Sequence, residues 1–504
     1  MRFHTTQARA WWRPLMAAAL LGAILAVPAR PVWPAAVVPL ELPVLLMLAL
    51  VPVLRPLLLG ALILSLLVKL ADIGIFAAFH RPADLIADWP LLPAAWQLGA
   101  ANLGAGRMSV GIAAVLALLI VLALAIRWSV RQRGLGWVAA LAAVAALLFP
   151  AAADTSRFLA AKATETRAAL ASRTEFRTAA LRDPFDGRAG NLAGLGATDA
   201  AIIFVESYGR TSFDTPLYAE HPPILRDIEG RARAAGLAMR SGWLTSPISG
   251  GQSWLAQTTL VSGLHVSDQG RYRALLASPR RTLFDLAEAG GRHPVAFAPA
   301  ITMAWPEAPL LGFREVLAAA DMGYRGRPLN WVTMPDQYTL SVVERRLRAP
   351  HDRPIFAQVA LISSHAPWVP VIDPVPWADV GDGAVFDGAG WDTRTPEEVW
   401  ANPDTIRAQY AASIAYSLKI VGDFALRQAD NPPLLVILGD HQPANFVAQM
   451  DNRDVPVHII GAPELIRRFD GWGWADGMIP DPALPAWPME AFRDRFLTAL
   501  GDGP

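Results

Sequence analysis

The sequence predicts a chain of more than one domain: about five membrane-spanning helices, then an α/β domain whose mainly parallel sheet is covered by helices. Three observations support this fold class. The 504-residue chain is 53% hydrophobic and only 17% charged, with a mean hydropathy of +0.30, which is too apolar for an ordinary soluble enzyme. Long apolar runs fill the part before residue 154, and short β-branched runs alternate with helical stretches after residue 199.

The distribution of charge argues against a nucleic-acid-binding protein. The 44 basic and 44 acidic side chains cancel, but residues 1–153 carry 11 basic and 4 acidic side chains, which leaves the remainder with a net charge of −7. A basic, apolar front and a mildly acidic remainder lack the basic patch that phosphate contacts require. Cysteine is absent, so disulfides, thiolate metal sites and cysteine nucleophiles are excluded.

A transmembrane domain is expected over residues 1–153. Five apolar runs in this part are each close to the ~20 residues that a spanning helix needs. Leu, Ala and Val lie all around these runs, so none has the polar face of a globular surface helix. The runs cover residues 11–29, 36–53, 56–79, 108–127 and 135–153.

Positive charges set the expected direction of these spans. Arginines lie before and at the start of the first run, between the second and third, and from the end of the fourth to the fifth, so these segments are expected in the cytoplasm: Arg2, Arg9 and Arg13; Arg55; Arg127, Arg131 and Arg133. The nearly neutral loop 80–107 and everything after residue 153 then lie outside. Cleavage of the first run as a signal peptide would leave the later topology unchanged.

The rest of the chain is expected to hold a juxtamembrane helix and linker over 154–198 and a catalytic domain over 199–504. Near-continuous apolar strands that alternate with helices predict a mainly parallel sheet covered on both faces. The strands are expected at 201–206, 294–299, 355–363, 434–440 and 455–461, and the helices at 221–235, 253–262, 281–289, 335–348, 403–428 and 487–499.

Polar residues follow three of these strands, at the place where ligands bind in open α/β sheets. Glu206 ends the first strand, His365 follows the third, and Asp440-His441 end the fourth, while Ser253 begins a helix after a Gly-containing turn. Taken singly, each has a structural interpretation as a cap, a satisfied loop histidine or a turn. Together they predict an oxygen-rich site for a divalent metal ion.

The residue types suggest a role for each member of this group. We expect Glu206, Ser253, Asp440 and His441 to bind one divalent cation, Zn²⁺ or Mn²⁺, because an imidazole nitrogen disfavours Ca²⁺ and Mg²⁺. Coordination favours a deprotonated serine hydroxyl, so Ser253 is the expected nucleophile. Its place at a helix N-terminus suits a bound phosphate. His365 is the expected general acid, which protonates the leaving alkoxide or holds a phosphoryl oxygen.

Residues 199–500 resemble the alkaline phosphatase and sulfatase superfamily. The whole chain resembles its membrane-anchored branch, which contains lipoteichoic acid synthases, phosphoglycerol transferases and phosphoethanolamine transferases. The resemblance rests on two sequences at strand ends, Glu206-Ser207 and Gly439-Asp440-His441. It implies an alkaline-phosphatase-like domain in which Glu206, Asp440 and His441 are metal ligands.

The resemblance also covers the other site residues. The branch places a substrate-contacting histidine at the position of His365, and the segment from Trp331 to Asp336 resembles the stretch before the next helix. The nucleophile of this branch is usually threonine, whereas this chain has Ser253 at the corresponding helix start. Ser249 in the same turn is the competing nucleophile.

The substrate loop departs from relatives that handle glycerol phosphate, which have an aromatic residue and then a basic one. Here Trp305 supplies the aromatic ring and Glu307 stands near it without a base. A carboxylate repels phosphate but holds an ammonium group, which favours phosphoethanolamine. Phosphoethanolamine transferases usually carry disulfides, which this chain lacks. His365, His458 and His265 are further candidate substrate contacts, and for the last two a structural role is the alternative.

We therefore expect a bacterial inner-membrane enzyme that transfers phosphoethanolamine or phosphoglycerol from a phospholipid to an envelope glycan or lipid through a phospho-serine intermediate. A membrane-anchored hydrolase with the same site is an alternative, since water can replace the acceptor. A sulfatase would need a Cys/Ser-x-Pro-x-Arg sequence, which the residues after Ser253 lack. A catalytically inactive binding protein is the second alternative.

The predicted topology can be tested with alkaline phosphatase fusions in a bacterial host. A fusion after residue 200 is expected to be active, because that point lies outside the cell membrane, and a fusion after residue 133 is expected to be inactive. The reverse pattern would overturn the predicted orientation.

Overall fold

The computed structural model describes residues 11–28, 38–79, 82–85, 88–89, 96, 105–188, 190–330 and 332–501. Arg2, Arg9, Trp331 and most of the loop predicted over 80–107 lie outside the described residues. The chain forms two compact units, Met1–Arg173 and Thr174–Pro504. The divisions expected after residues 153 and 198 stay predictions.

Apolar helices build most of the first unit. The helices up to residue 180 are α1 (Trp12–Ala26), α2 (Glu41–Leu48), α3 (Arg55–Phe79), α4 (Ala105–Ser129), α5 (Leu135–Leu148) and α6 (Asp154–Ala180). A short 3₁₀ turn, Pro52–Leu54, leads into α3. The two-residue strands β1 (Val38–Pro39) and β2 (Ala151–Ala152) pair in parallel.

Two helices among the described residues, over Pro52–Phe76 and Ala105–Ser129, are long and apolar enough to cross a membrane. The structure thus differs from the five spanning helices expected, because α1 and α5 are apolar but shorter and α2 has only 8 residues. Proline explains the early ends. Val27 precedes Pro28 and Phe149 precedes Pro150, and both have extended backbone, with ψ of 119° and 159°, as expected of residues before proline.

The second unit is an α/β domain built on a nine-stranded sheet. Its strands are β3 (Ala200–Val205), β4 (Ala238–Thr245), β5 (His293–Ala298), β6 (Glu315–Ala318), β7 (Ile355–Ala360), β8 (Leu434–Gly439), β9 (Asp454–Gly461), β10 (Ala475–Asp476) and β11 (Trp487–Pro488). They lie in the order β10-β4-β9-β8-β3-β7-β5-β6, with β11 beside β4.

The sheet is mixed, so the prediction of a mainly parallel sheet is wrong. The central strand β3 pairs in parallel with β7 and β8, but β9 runs antiparallel to both β8 and β4. The connection over 440–453 stays at the edge of the sheet where β8 ends, so the next strand runs back. A parallel neighbour would need a crossover to the opposite edge.

Helices cover both faces of the sheet, as expected. Ile203 of β3 belongs to one buried apolar cluster and Ile202 to the other, because successive side chains of a strand point to opposite faces. The helices of this unit are α7 (Thr211–Asp214), α8 (His221–Ala234), α9 (Ser253–Ser262), α10 (Gln269–Leu276), α11 (Leu283–Ala289), α12 (Asp336–Arg348), α13 (Pro396–Trp400), α14 (Pro403–Arg427), α15 (Asn445–Ala448), α16 (Pro463–Ile466) and α17 (Ala491–Leu500), with 3₁₀ turns at Ala193–Leu195, Pro216–Tyr218, Ala308–Leu311, Ala319–Met322, Trp377–Asp379, Ala384–Gly388 and Arg467–Trp472.

Several loops meet at one edge of this sheet. Strands β3, β5, β7 and β8 are parallel to one another, so their carboxyl ends share an edge. Because β4 and β8 are both antiparallel to β9, β4 ends at that edge as well. The loops after β3, β4, β7 and β8 carry the polar residues that the sequence singles out.

Candidate metal centre and nucleophile

The loops after β3 and β8 lie in close contact. Gly439 ends β8, and a side chain there would run into the backbone oxygen of Tyr208. Ser207 adopts a left-handed backbone conformation, with φ of 59°, which a non-glycine residue keeps only when its surroundings hold it. The close approach and the bent backbone turn Glu206 and Asp440 toward one point.

Glu206, Asp440 and His441 form a buried cluster. Donor atoms of the three side chains all lie within 4.8 Å of one another. The His441 Nε2 atom is 3.3 Å from Glu206 Oε1 and 3.8 Å from Asp440 Oδ1. The three residues are only 6%, 1% and 1% exposed, so almost no water screens these charges.

Ser253 brings its hydroxyl to this cluster from the start of α9. Its Oγ donates to Glu206 Oε2 at 2.8 Å and lies 3.2 Å from His441 Nε2. Three successive residues, Gly250, Gly251 and Gln252, have positive φ angles, and this turn sets where the helix begins. Ser249 lies in the same turn, but the hydroxyl that contacts the cluster belongs to Ser253.

The ionisable groups of the cluster shift one another's pKa values. Burial and the Glu206 carboxylate raise the pKa of Asp440 to about 7. Burial opposes protonation of His441, yet Asp440 and Glu206 raise the pKa of its imidazole to about 9. Burial would also raise the pKa of Glu206, but the positive fields of His365 and His441 lower it. The His441 imidazole therefore keeps its proton and its positive charge at neutral pH, beside the Glu206 carboxylate.

The donor set fits a divalent cation. Two carboxylates, an imidazole nitrogen and a hydroxyl are ligands that Zn²⁺ and Mn²⁺ accept. The carbonyl oxygen of Gln442 can only accept a hydrogen bond, so His441 Nδ1 is the donor in their 2.8 Å contact. This contact orients Nε2 toward the cluster, which is the arrangement that supports a ligating histidine.

Backbone and hydroxyl groups that the sequence analysis missed hold the cluster in place. The amides of Ser207 and His441 donate to Asp440 Oδ1 at 2.9 and 2.8 Å. Three hydroxyls donate to the backbone oxygens beside or within the ligands: Ser364 to Glu206, Ser246 to Asp440 and Tyr410 to Ser207. Ser207 follows Glu206 and Ser364 precedes His365 in the sequence, so both adjoin predicted site residues, whereas nothing in the sequence marks Ser246 or Tyr410.

His365 lies half-buried beside the cluster. Its Nδ1 donates to the carbonyl oxygen of Ala366 at 2.8 Å, so Nε2 is the nitrogen that can exchange a proton. Among the influences that lower the pKa of Glu206, the electrostatic interaction with His365 is the largest. The structure thus brings His365 close to the predicted metal ligands.

Trp305 lies at a narrow cleft next to α9, and Glu307 interacts electrostatically with Tyr272 in its wall. The aromatic rings of Trp254, Tyr272 and Trp305 line this cleft, and Trp254 directly follows Ser253. Burial and the Glu307 carboxylate raise the pKa of Tyr272 to about 12, while a hydrogen bond with Trp305 opposes the rise. Trp305 and Glu307 therefore flank one side chain of the cleft.

The structure does not bring His458 or His265 to the cluster. His458 is fully buried in β9, and its ring nitrogens contact Tyr208 Oη at 3.2 Å and Ser241 Oγ at 2.8 Å. Burial lowers its pKa to about 3, so the ring stays neutral. His265 pairs instead with Glu490, at 3.2 Å. Both histidines therefore fit the structural role that the sequence analysis gave as the alternative.

No protein-family model matches the chain, and no curated protein matches its sequence. Solved structures are similar to part of the chain. The lipoteichoic acid synthase LtaP from Listeria monocytogenes is 12% identical, with a TM-score of 0.38 over 57% of this chain and 70% of LtaP. The phosphoglycerol transferase GacH from Streptococcus pyogenes, in complex with sn-glycerol-1-phosphate, is 15% identical, with a TM-score of 0.36 over 57% and 74% of the two chains.

A third similar structure is the C-terminal periplasmic domain of EcEptC from Escherichia coli in complex with Zn, at 13% identity and a TM-score of 0.35 over 53% and 74% of the two chains. Lipoteichoic acid synthases and phosphoglycerol transferases are two of the groups that the sequence resembles. With TM-scores of 0.38 or less, the similarity is loose. The functional inference rests on the contacts of this chain's own residues.

A substitution of Asp440 tests the metal centre. Asp440→Asn is expected to lower metal affinity by about 10–100-fold or more, because it removes an anionic ligand at nearly constant shape. Elemental analysis of the purified chain after dialysis measures the occupancy. Asp454→Asn is the matched control at the same edge of the sheet, where Asp454 accepts from Thr245, and it should leave the occupancy unchanged. Full occupancy in Asp440→Asn would remove Asp440 from the site.

Proposed function

We propose that the protein is a membrane-anchored, metal-dependent phosphotransferase that moves a phospho-head group from a phospholipid to an envelope glycan or lipid through phospho-Ser253. One observation carries the proposal: the hydroxyl of Ser253 lies 2.8 Å from Glu206 Oε2 and 3.2 Å from His441 Nε2, inside a buried acidic cluster. A serine with only a structural role would not need to contact both a carboxylate and an imidazole.

Glu206, Asp440, His441 and Ser253 would hold the cation, which we propose is Zn²⁺ or Mn²⁺. When bound, it supplies positive charge that favours the deprotonated hydroxyl and offsets charge on the phosphoryl group. Glu206 Oε2 already accepts the hydrogen of Ser253, so the carboxylate aligns the hydroxyl. Gln252 supplies no side-chain cap to α9, so the first N–H groups of the helix can bind phosphoryl oxygens.

The proposed reaction has two displacements at phosphorus. In the first, the deprotonated Ser253 Oγ bonds to the donor phosphorus, the bond to the diacylglycerol oxygen breaks, and diacylglycerol leaves with a proton that His365 supplies. In the second, the acceptor hydroxyl bonds to phosphorus and gives its proton to His365, the bond to Ser253 Oγ breaks, and Ser253 is deprotonated again. The acceptor proton and the leaving-group proton balance over one turnover.

His365 is the proposed general acid and base. Its Nδ1 is held by Ala366, so Nε2 can give a proton to the diacylglycerol oxygen in the first step and take one from the acceptor in the second. General acid–base catalysis of this kind contributes about 10²–10⁴-fold to a rate. We therefore assign that share of the turnover to His365.

The proposed location is the bacterial inner membrane, with the catalytic unit at its outer face. Helix α4 has 25 residues, which rise about 37 Å and exceed the ~30 Å hydrocarbon core. Only 6% of the residues in its most apolar stretch are buried in the protein, so most of its Leu, Ile and Val side chains are at least partly exposed, while Ile126 is buried. A donor lipid in the same membrane reaches the site by a search confined to the surface.

The head group we favour is phosphoethanolamine, ahead of phosphoglycerol. Glu307 supplies a carboxylate beside the aromatic cleft, and the exposed ring of Trp254 and the ring of Trp305 offer faces that attract a cation. Among the described residues, none of the side chains that line this cleft is basic. A carboxylate and aromatic faces suit an ammonium group and offer little to a neutral glycerol.

The covalent step can be tested with phospholipids labelled in the head group. Incubation with labelled phosphatidylethanolamine is expected to add phosphoethanolamine to the peptide that contains Ser253, as read by mass spectrometry. Ser253→Ala should abolish the adduct and turnover, whereas Ser253→Thr should retain measurable activity, because threonine offers the same oxygen. An adduct on Ser249 would move the nucleophile within the turn.

Two controls separate the alternatives. Labelled phosphatidylglycerol tests the head group, and a larger adduct yield with it would replace phosphoethanolamine by phosphoglycerol. If the adduct forms but only free head group is released, the enzyme is a hydrolase. Undiminished turnover by Ser253→Ala would contradict the mechanism as a whole.

A further inference from the structure

Asp336 is a fully buried carboxylate behind the site. It begins α12 and is 0% exposed, and its backbone amide bonds to the hydroxyl of Ser363 at 2.8 Å. Its Oδ1 accepts from the amides of Ile362 and Ser363, both at 2.9 Å. Its Oδ2 accepts from the hydroxyl of Ser417 at 2.6 Å. One side chain thus ties the start of α12 to the loop after β7 and to α14.

The loop that Asp336 holds contains both a support of the cluster and the proposed general acid. Ser364 follows the two bonded amides directly and donates to the backbone oxygen of Glu206 at 2.6 Å. His365 follows Ser364. A shift of the backbone at Ile362 and Ser363 would therefore move the imidazole of His365, and it would release one contact to Glu206.

Helix α14 supports this arrangement from a second point. Tyr410 and Ser417 are seven residues apart, about two turns, so they lie on the same face of the helix. Tyr410 donates to the backbone oxygen of Ser207, and Ser417 donates to Asp336. The same helix face thus supports the loop after β3 directly and the loop after β7 through Asp336.

We propose that Asp336 is a positioning residue for the reaction, which sets the place of His365 relative to Ser253 by fixing the amides of Ile362 and Ser363. This inference rests on the proposed function. It assigns to Asp336 no contact with substrate or metal. Its carboxylate acts only through the loop that it holds.

The experiment is a double-mutant cycle between Asp336 and His365 in the full chain, with the rate of labelling of Ser253 by phosphatidylethanolamine as readout. Asp336→Ala is expected to lower this rate by about 10–100-fold, part of the 10²–10⁴-fold share of a general acid. Asp336→Asn should recover most of the rate, because its oxygen still accepts from both amides. The double variant with His365→Ala should match His365→Ala alone within about twofold.

Gln337→Ala is the matched control. Gln337 is equally buried on α12, but its side chain holds Val375, ten residues after His365 in the chain. Its effect on the rate should be small and should add to that of His365→Ala. Additive losses for Asp336→Ala and His365→Ala would overturn the positioning role, because a general loss of stability adds where a shared role does not.

Hydrogen exchange gives a readout that needs no activity. The amides of Ile362 and Ser363 should lose protection in Asp336→Ala and keep it in Asp336→Asn, and retained protection in Asp336→Ala would overturn the inference. If Asp336→Ala does not fold, Ser417→Ala takes its place in the cycle, and it must show the same non-additivity at a smaller loss. A wild-type chain that acquires no label contradicts the proposed function instead, and the exchange measurement still decides the role of Asp336.

Discussion

Two carboxylates and an imidazole lie close together in a buried place where β3 and β8 end. The rest of the site depends on how their charges are compensated. Burial of an unpaired charge is costly, and removal of one partner from a buried set leaves the others uncompensated. Glu206, Asp440 and His441 offset part of this cost through one another, since His441 Nε2 lies 3.3 Å from Glu206 Oε1. A divalent cation compensates two adjacent carboxylates more completely than a proton on the ring does.

The surrounding structure is arranged to keep these groups together. Gly439 lets the two loops approach, and the bent backbone at Ser207 is held between the Asp440 carboxylate and the Tyr410 hydroxyl. The antiparallel strand β9 leaves β4 and β8 pointing the same way, so Ser253 arrives at the same edge as the carboxylates. The fold therefore delivers a hydroxyl and an acidic cluster to one place from strands far apart in the sequence.

The sequence predicted the acidic cluster and the serine because each follows an apolar strand or begins a helix, and strand ends share an edge. It predicted a mainly parallel sheet because apolar runs do not record direction, so the reversal of β9 was invisible. β4 was missed because Ser241 and Gly242 interrupt its apolar run. The apolar runs that contain α1 and α5 are longer than the helices themselves because composition was counted across Pro28 and Pro150. The support from Asp336 comes from hydrogen bonds over long sequence separations, which no local pattern contains.

Anomalous X-ray diffraction can show whether Glu206, Ser253, Asp440 and His441 hold one divalent cation. Crystals of the full chain grown with Zn²⁺ or with Mn²⁺ would be measured at the absorption edge of each metal. We expect one anomalous peak about 2.0–2.3 Å from donor atoms of these four side chains for at least one of the two ions. The absence of such a peak with both metals, in crystals where the four side chains are ordered, would contradict the proposed metal site.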